Sequence, residues 1–241
     1  MRIFKGVERA AKRLVPAGWR KYFRASRYEL VMQSETPVDL IVHVGAHWAE
    51  DAALYESYGA GTVLWIEADP DTFTQLQSVL AKRTGSTRHL AECALVSASD
   101  GDTLSFHRFK GDGSSSSIHT STETLRQRFP EAGESGEVLE MVTRSLPEIL
   151  SRHSLDVTSA SKPMLVVDVQ GHELSVLQGL GNGLDNFALC KCEVSRIPLY
   201  DGGAQFTDID AHFRARGFAL ASHRYARVPR HGDVLYRRSS P

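Results

Sequence analysis

Two neighbouring stretches decide the fold of this chain: Ile41-Val-His-Val-Gly-Ala-His-Trp-Ala-Glu50 and Val63-Leu-Trp-Ile-Glu-Ala-Asp-Pro70. Each begins as an apolar run and ends in a polar turn, and a segment of helix length lies between them. This order predicts a strand, a turn, a helix and a second strand, which is the first half of a nucleotide-binding α/β domain.

Gly45 and Glu67 predict the kind of ligand. Glycine has no Cβ, so the backbone at Gly45 can turn tightly and approach a ligand closely. Glu67 comes at the end of the second strand, where a carboxylate can accept hydrogen bonds from both ribose hydroxyls of an adenosine. The pair therefore predicts an adenosine-containing cofactor.

The residues after Gly45 discriminate between cofactors. Dinucleotide sites usually carry three glycines, because a pyrophosphate lies against bare backbone at a helix N-terminus. Here one glycine is followed by two acids, Glu50 and Asp51, which would repel a pyrophosphate. They are compatible with S-adenosylmethionine (SAM), which has no phosphate and carries a sulfonium cation. The sequence thus favours SAM over NAD or FAD.

From about Val38 to Tyr236 the chain resembles the FkbM-type family of class I SAM-dependent methyltransferases. Besides the two stretches above, the resemblance rests on three motifs: Gly113-Ser-Ser-Ser-Ser-Ile118, Val142-Thr-Arg-Ser-Leu146 and Leu165-Val-Val-Asp-Val-Gln-Gly-His-Glu-Leu-Ser-Val-Leu-Gln-Gly179. The last is the most specific, since the family usually has D-V-E-G-x-E there, followed by an apolar helix and a glycine.

The resemblance implies methyl transfer from SAM to an oxygen, typically a hydroxyl of a sugar, a glycan or another secondary metabolite. Two positions depart from the family pattern. His43 stands where the family often has Asp at the end of the first strand, which bears on the contact to the methionine end of SAM. Gln170 stands where Glu is common, which bears on the acceptor site.

Strand and helix patterns alternate through the rest of the chain. They predict a Rossmann-like, doubly wound α/β sheet that is mostly parallel and ends in an antiparallel hairpin. Further strands are predicted at 90–96, 104–108, 164–169 and 188–194, and the hairpin at 218–222 and 234–237. Residues 37–241 are predicted to form the methyltransferase domain, and residues 1–36 a basic N-terminal helical extension.

The site residues are expected beyond the carboxyl ends of the strands, where ligands of open α/β sheets collect. The predicted cofactor contacts are Gly45, Ala46, His47, Glu67, Ala68, Glu92, Cys93 and Asp168, with Glu92 and Cys93 beside the adenine. The predicted acceptor contacts are Ser115, Ser116, Gln170, Glu173 and Glu193. Residues 110–135, rich in Gly, Ser, Thr and Glu, are typical either of a mobile lid over the site or of a low-complexity linker.

Methylation of a hydroxyl benefits from a general base, because a protonated hydroxyl is a poor nucleophile. Asp168 and His172 are the leading candidates. Asp168 could instead orient the acceptor or bind the SAM amine, and His172 could be a helix-surface histidine without a role. Asp168, Glu173 and Glu193 carry oxygen donors suited to Mg²⁺. Because these three form no tight cluster in the sequence, no metal site is predicted.

Composition limits the class of protein. The chain has 241 residues, of which 41% are hydrophobic and 24% charged, as in ordinary soluble domains, and no apolar run approaches the roughly 18 residues of a membrane span. The three cysteines have no metal-type spacing, and an odd number argues against a disulfide framework and fits a reducing cytosol. Cys190 and Cys192 are expected to be core residues.

Residues 1–30 carry nine Lys or Arg against two Glu, in a chain whose net charge is −1, so the remainder is acidic. The apolar residues from Ile3 to Leu14 lie on one helical face. The tail could therefore lie peripherally on the anionic inner face of a membrane, or pack back on the acidic body. It lacks the apolar core of a secretory signal, which predicts a cytoplasmic protein. The acidic body argues against nucleic-acid binding.

Two other function classes are weighed against the main one. A non-catalytic SAM-fold binding or scaffold protein, recruited through the basic tail, is favoured by the departures at His43 and Gln170. An NAD-dependent oxidoreductase would need a glycine-rich loop and a Tyr-Lys pair, neither of which the sequence offers. The sequence therefore predicts a SAM-dependent O-methyltransferase acting on a small-molecule or glycan hydroxyl.

Overall fold

The computed structural model describes residues 27–223 and 230–239. The strands are β1 (Leu40–Val44), β2 (Thr62–Glu67), β3 (Arg88–Cys93), β4 (Leu95–Ser97), β5 (Thr103–Phe109), β6 (Glu134–Ser145), β7 (Pro163–Val167), β8 (Leu189–Ser195), β9 (Phe218–His223) and β10 (His231–Arg238). The α-helices are α1 (Arg27–Glu35), α2 (Ala52–Ser57), α3 (Pro70–Leu80), α4 (Glu123–Arg128), α5 (Leu146–Arg152), α6 (Glu173–Leu180) and α7 (Phe206–Ala215).

Seven strands form the main sheet in the order β3-β2-β1-β7-β8-β10-β9. The first five are parallel, and β10 is antiparallel to both β8 and β9. Strands β1 and β7 are fully buried along their length, as expected for central strands that are covered on both faces. The predicted fold class, a doubly wound α/β sheet with an antiparallel C-terminal hairpin, is confirmed.

Two hydrophobic cores lie on opposite faces of this sheet. One contains Leu146 of α5, Val176 of α6 and Ile209 of α7, together with Cys190 and Cys192 of β8. Both thiols are fully buried on the same side of their strand, which confirms the prediction of core cysteines. The other core is formed by α1, α2 and α3 against alternate residues of the central strands. These helices cover the two faces of the sheet.

The segment predicted as one strand, 90–96, is divided between two sheets. Its first part is β3 at the edge of the main sheet, and after Ala94 the chain enters β4, which pairs with β6. Strands β4, β6 and β5 form a separate three-stranded sheet. The division arises because β3 has only β2 as a neighbour, so the chain can leave the main sheet at Cys93 without breaking a central pairing.

Residues 110–135 are not an unstructured linker. They contain helix α4 and the first residues of β6, a strand that sequence patterning missed because its exposed positions do not alternate cleanly. The loop before α4 is tied to the body, since Ser117 Oγ donates a hydrogen bond of 2.7 Å to the Gln170 carbonyl. The segment therefore forms an ordered wall beside the ends of β7 and β8.

The end of the predicted N-terminal extension packs against the main domain. Helix α1 contacts β9, and Met32 is fully buried in the core on that face. The boundary at residue 36 between the extension and the methyltransferase domain stays a prediction. The basic helix predicted from Ile3 to Leu14 lies outside the described residues, so its membrane contact stays a prediction. Within residues 27–223 and 230–239, no helix is long and apolar enough to cross a membrane.

Candidate functional site

A cavity of about 280 Å³ opens at the carboxyl ends of β1, β2, β7 and β8. The predicted cofactor residues that line it are Gly45, Ala46, His47, Glu67, Ala68 and Asp168. Ser116, Gln170 and His172 line it from the predicted acceptor side. Strand β7 lies directly beside β1, and this pairing brings residues more than 120 positions apart in the sequence into one site.

Gly45 lies where the ends of three strands meet. Its φ is +80°, and its N–H donates a hydrogen bond of 2.9 Å to the Ile66 carbonyl at the end of β2. A Cβ at this position would lie 1.7 Å from the carbonyl oxygen of Asp168, just beyond β7. Both the left-handed backbone and the close approach require glycine. Gly45 therefore packs closely against the backbone of Asp168 and also lines the cavity.

The Glu67 carboxylate faces the cavity and is held by two backbone amides. The N–H groups of His47 and Asp69 each donate a hydrogen bond of 2.9 Å, one to each carboxylate oxygen. Burial raises the pKa of Glu67 to about 7, although the two amides oppose that shift. Each oxygen keeps a second lone pair. The group can therefore accept hydrogen bonds from the two hydroxyls of a ribose.

His47 connects the turn after β1 to the loop after β5. Its Nδ1 lies 2.5 Å from Glu50 Oε1, and its Nε2 lies 3.0 Å from the Asp112 carbonyl oxygen. Burial lowers the pKa of His47, but these hydrogen bonds outweigh it and the net shift is upward. With both ring nitrogens paired, His47 shapes the turn, and Glu50 contributes negative charge to the cavity wall.

Glu92 and Cys93 are not among the residues that line the cavity, and their place beside the adenine stays a prediction. The Glu92 carboxylate is turned away, where it pairs with Arg152 at 3.3 Å and with His153 at 3.1 Å. The Cys93 thiol points toward the Ala68 carbonyl at 3.7 Å. The chain turns from β3 into β4 at this point, and the next residues, Ala94 to Val96, line the cavity.

Gln170 joins the polar groups at the ends of β7 and β8. Its Nε2 donates to Asp168 Oδ1 at 2.6 Å and to Glu193 Oε2 at 2.8 Å, and its Oε1 accepts from the Tyr200 hydroxyl at 2.6 Å. Its φ is +55°, an uncommon value for a residue with a side chain. Burial, together with the carboxylates of Asp168 and Glu173, raises the pKa of Glu193. The amide thus holds two carboxyl groups together.

Glu173 and Glu193 lie behind the cavity, where they line a second, smaller pocket, and their role as acceptor contacts stays a prediction. Glu173 Oε1 accepts hydrogen bonds from the N–H groups of Val169 and Gly171, at 3.0 and 3.1 Å. Burial raises the pKa of Glu173 to about 7. Ser115 is also not among the lining residues, and its carbonyl accepts a hydrogen bond of 3.1 Å from the Tyr200 hydroxyl. These residues support the wall from behind.

Three carboxyl groups that the sequence left apart come together in the fold. Oxygens of Asp168, Glu173 and Glu193 all lie within 4.8 Å of one another. Such oxygens suit Mg²⁺. The Gln170 amide already donates to two of the three groups, and backbone amides donate to the third. A cation at this cluster would have to displace the Gln170 amide.

His172 lines the cavity at the N-terminus of α6. Its Nε2 lies 3.0 Å from Ser97 Oγ, which lies 3.2 Å from Ser175 Oγ. Burial, with a smaller contribution from His119, lowers the pKa of His172 to about 4. The imidazole is therefore neutral at physiological pH. Sequence analysis missed Ser97 and Ser175, since a lone serine at a strand end or in a helix carries no signal.

Lys191 is a third residue that sequence analysis missed. It lies in β8 between two buried cysteines, and lines the cavity with a side chain that is only 15% exposed. Its Nζ lies 3.4 Å from Asp233 and 3.7 Å from Asp51. The signal that could have found it was a lysine between two core cysteines, where a charged residue is unexpected.

The chain was compared with known proteins. The family model described as the methyltransferase FkbM domain matches residues 42–220. No curated protein matches the sequence significantly. Among solved structures, similar ones include an NADB-Rossmann superfamily protein from Streptococcus agalactiae, with 9% identity, a TM-score of 0.46 and coverage of 88% of this chain and 67% of that one.

Two further structures are methyltransferases. Magnesium protoporphyrin IX methyltransferase from Synechocystis, with bound SAM, has 11% identity and a TM-score of 0.41, over 88% of this chain and 76% of that one. The 1,6-didemethyltoxoflavin-N1-methyltransferase of Burkholderia thailandensis has 12% identity and a TM-score of 0.46, over 89% and 76%. The domain match, which covers most of the chain, carries the assignment: the chain belongs to the FkbM methyltransferase family, and its methyl donor is SAM.

Proposed function

We propose that this protein is a SAM-dependent O-methyltransferase acting on a hydroxyl group of a sugar, a glycan or a related metabolite. The observation that carries the proposal is the neutral imidazole of His172 in the same cavity as Glu67. One end of the cavity can hold a ribose, and the other offers a proton acceptor. O-methylation needs both, because the hydroxyl proton must leave as the new bond forms.

The residues present fit SAM. Glu67 would accept the two ribose hydroxyls, and the turn from Gly45 to His47 would lie along the cofactor. Glu50 and Asp51 add negative charge to the wall, which suits a sulfonium and would disfavour a pyrophosphate. When bound, SAM supplies an electrophilic methyl group on its sulfonium. The protein's contribution is to hold the acceptor oxygen in line behind that methyl group.

His172 is the proposed proton acceptor. The Nε2–H tautomer would donate to Ser97 Oγ and leave the Nδ1 lone pair available. A pKa of about 4 makes His172 a weak base. That is sufficient here, because an oxygen that is gaining a methyl group becomes strongly acidic, so the proton can be transferred late in the reaction. Asp168 would then orient the acceptor, with its carboxyl fixed by Gln170.

The wall formed by residues 113–118 supports a polyhydroxylated acceptor. Ser114, Ser116 and Ser117 line the cavity together with Asp168 and Gln170. Hydroxyls and amides of this kind pair with sugar hydroxyls, which both donate and accept hydrogen bonds. As part of the same proposal, the enzyme acts in the cytoplasm, and the basic residues 1–30 hold it peripherally at an anionic membrane surface.

The proposal is tested by following S-adenosylhomocysteine release from SAM with a panel of methyl hexopyranosides and simple alcohols. We expect turnover with at least one hydroxyl acceptor and a reduction of kcat by about 100-fold in His172→Ala, since a positioned base contributes that order of acceleration. The affinity for S-adenosylhomocysteine, measured by calorimetric titration, should stay within about twofold, because His172 acts on the acceptor proton.

His153→Ala is the matched control. His153 is also a partly buried histidine at a helix end, but its ring pairs with Glu92 away from the cavity. Its kcat should match the wild type. SAM binding without methylation of any acceptor would favour the alternative hypothesis of a non-catalytic binding or scaffold protein. If His172→Ala keeps full kcat, the base assignment fails.

A further inference from the structure

Lys191 lines the cavity and belongs to a row of residues in register on three neighbouring strands. His43 of β1 is in register with Val166 of β7, and Val166 is in register with Lys191 of β8. Residues in register on neighbouring strands point to the same face. The lysine and the histidine that departs from the family pattern are thus neighbours across β7, and both line the cavity.

The family resemblance implies a charged aspartate at the end of β1, but the charged groups near this row lie elsewhere. Burial and the Lys191 cation lower the pKa of His43 to about 3, so the end of β1 carries no charge. His43 Nδ1 lies 3.1 Å from the Tyr55 hydroxyl, which donates to Asp51 at 3.4 Å. The charged groups are instead Lys191 and Asp51, whose Nζ and Oδ2 are 3.7 Å apart.

Lys191 keeps its proton in spite of its burial. Burial lowers the pKa of a lysine, but Asp233, Asp51 and Asp168 outweigh it and the net shift is upward. The cation is therefore faced by carboxylates from β10, from the start of α2 and from the end of β7. An isolated anion would be repelled by these carboxylates. A zwitterion would not, because it brings an ammonium group for the acids together with a carboxylate for the lysine.

We propose that Lys191 binds the carboxylate of the amino-acid end of SAM, in a subsite where Asp51 faces the ammonium group. The proposal rests on the assignment of SAM as the cofactor and deepens it. Strands are about 4.8 Å apart, so the three intervals from β2 to β8 span about 14 Å. An extended SAM molecule, anchored by its ribose at Glu67, reaches across β1 and β7 toward Lys191.

The test is calorimetric titration of wild type and Lys191→Met with three ligands that differ only at that end. S-Adenosylhomocysteine has the whole amino acid, 5′-(3-aminopropylthio)-5′-deoxyadenosine lacks only the carboxylate, and 5′-methylthioadenosine lacks both charged groups. We expect Lys191→Met to weaken S-adenosylhomocysteine binding by tenfold or more. Binding of the two ligands without a carboxylate should change by less than twofold. Lys191→Arg, which keeps the cation, should restore most of the affinity.

The same ligands separate the proposal from its alternatives. An unchanged affinity of Lys191→Met for S-adenosylhomocysteine would overturn the proposal, as would a parallel loss for all three ligands, which would mean that Lys191 only stabilises the fold. Lys82→Met, at an exposed position after α3, should leave all three affinities unchanged. The result is independent of the acceptor. Wild type that binds S-adenosylhomocysteine but methylates no hydroxyl would contradict O-methylation and leave the Lys191 comparison intact.

Discussion

The two ends of the cavity are built differently. At the ends of β1 and β2, the Glu67 carboxylate is held by backbone amides of His47 and Asp69, and the local geometry depends on one glycine. At the ends of β7 and β8, side chains hold side chains: Gln170 bridges Asp168 and Glu193. Backbone hydrogen bonds thus fix the end at β1 and β2, whereas side chains brought together by strand pairing form the end at β7 and β8.

This difference separates two ways of recognising a ligand. Backbone amides are present at every residue, so the cofactor end needs few particular side chains and can be identified from a short motif. The acceptor end needs several polar side chains at once, and each must satisfy the others because they are buried. Substitutions at the first end should therefore act through backbone geometry. Those at the second should act through charge and hydrogen bonding.

The most severe expected effect concerns backbone geometry at the cofactor end. Gly45→Ala would place a Cβ 1.7 Å from the Asp168 carbonyl oxygen, at a φ of +80°. We expect a loss of about 4 kcal/mol in the free energy of unfolding, from overpacking and the left-handed backbone together. Urea denaturation measures it.

Gly101→Ala is the control for this prediction. Gly101 has a similar φ of +86°, but no atom lies within 4 Å of its Cβ position. Only the conformational cost should remain, about 1 kcal/mol. Equal losses in the two variants would mean that the close approach of β1 to β7 does not constrain the fold.

At the acceptor end, Gln170→Glu restores the residue that is common in the family and tests the side-chain network. The variant loses the two N–H donors to Asp168 and Glu193 and adds a third carboxyl group beside them. We expect it to be less stable than wild type by about 2 kcal/mol at pH 8. Urea denaturation at pH 5 and pH 8 measures the loss.

The pH dependence of this variant has a defined sign. The cluster raises the pKa of the added carboxyl above its value in the unfolded chain. At a pH between these two pKa values the folded state binds more protons than the unfolded state, so stability is lost as the pH rises. The deficit should therefore be smaller at pH 5 than at pH 8. Gln127→Glu adds an acid beside Glu123 on the exposed face of α4 and should change stability little at either pH. An equal loss of stability in Gln170→Glu at pH 5 and pH 8 would contradict the proposed role of the Gln170 hydrogen bonds.

The smallest expected effect is on cofactor affinity. The pKa of Glu67 is about 7, and its ionised form is the better acceptor for ribose hydroxyls. Affinity for S-adenosylhomocysteine should therefore rise with pH, by about tenfold from pH 6 to pH 8, because about a tenth of the group is ionised one unit below its pKa. Calorimetric titration at several pH values follows the change.

Glu67→Gln should bind about tenfold more weakly than wild type at pH 8, with little dependence on pH. Glu92→Gln should retain the wild-type pH profile, because Glu92 pairs with Arg152 and His153 outside the cavity. If the affinity of Glu67→Gln for S-adenosylhomocysteine still rises with pH as in wild type, a group other than Glu67 causes the pH dependence.

The order of strands and helices follows from the sequence because periodicity and glycine position are local properties. The predicted strands 164–169 and 188–194 agree with β7 and β8 within two residues at each end, and the antiparallel hairpin also agrees. The failures occurred where the chain changes sheets. Nothing near Cys93 indicates that β3 ends and β4 begins, since the change depends on β6, whose partner residues are 48 positions away.

What the amino-acid sequence established alone was the fold class, the position of the cofactor end and the acidic turn that favours SAM. These depend on residues within one strand-turn-helix unit. The fold was needed to turn Glu92 away from the cavity, to place Glu173 and Glu193 behind its wall, to bring Lys191 into that wall and to bring Ser97 beside His172. Which side chains meet across a sheet is set by strand order and register, and these come from long-range pairings that no local pattern records.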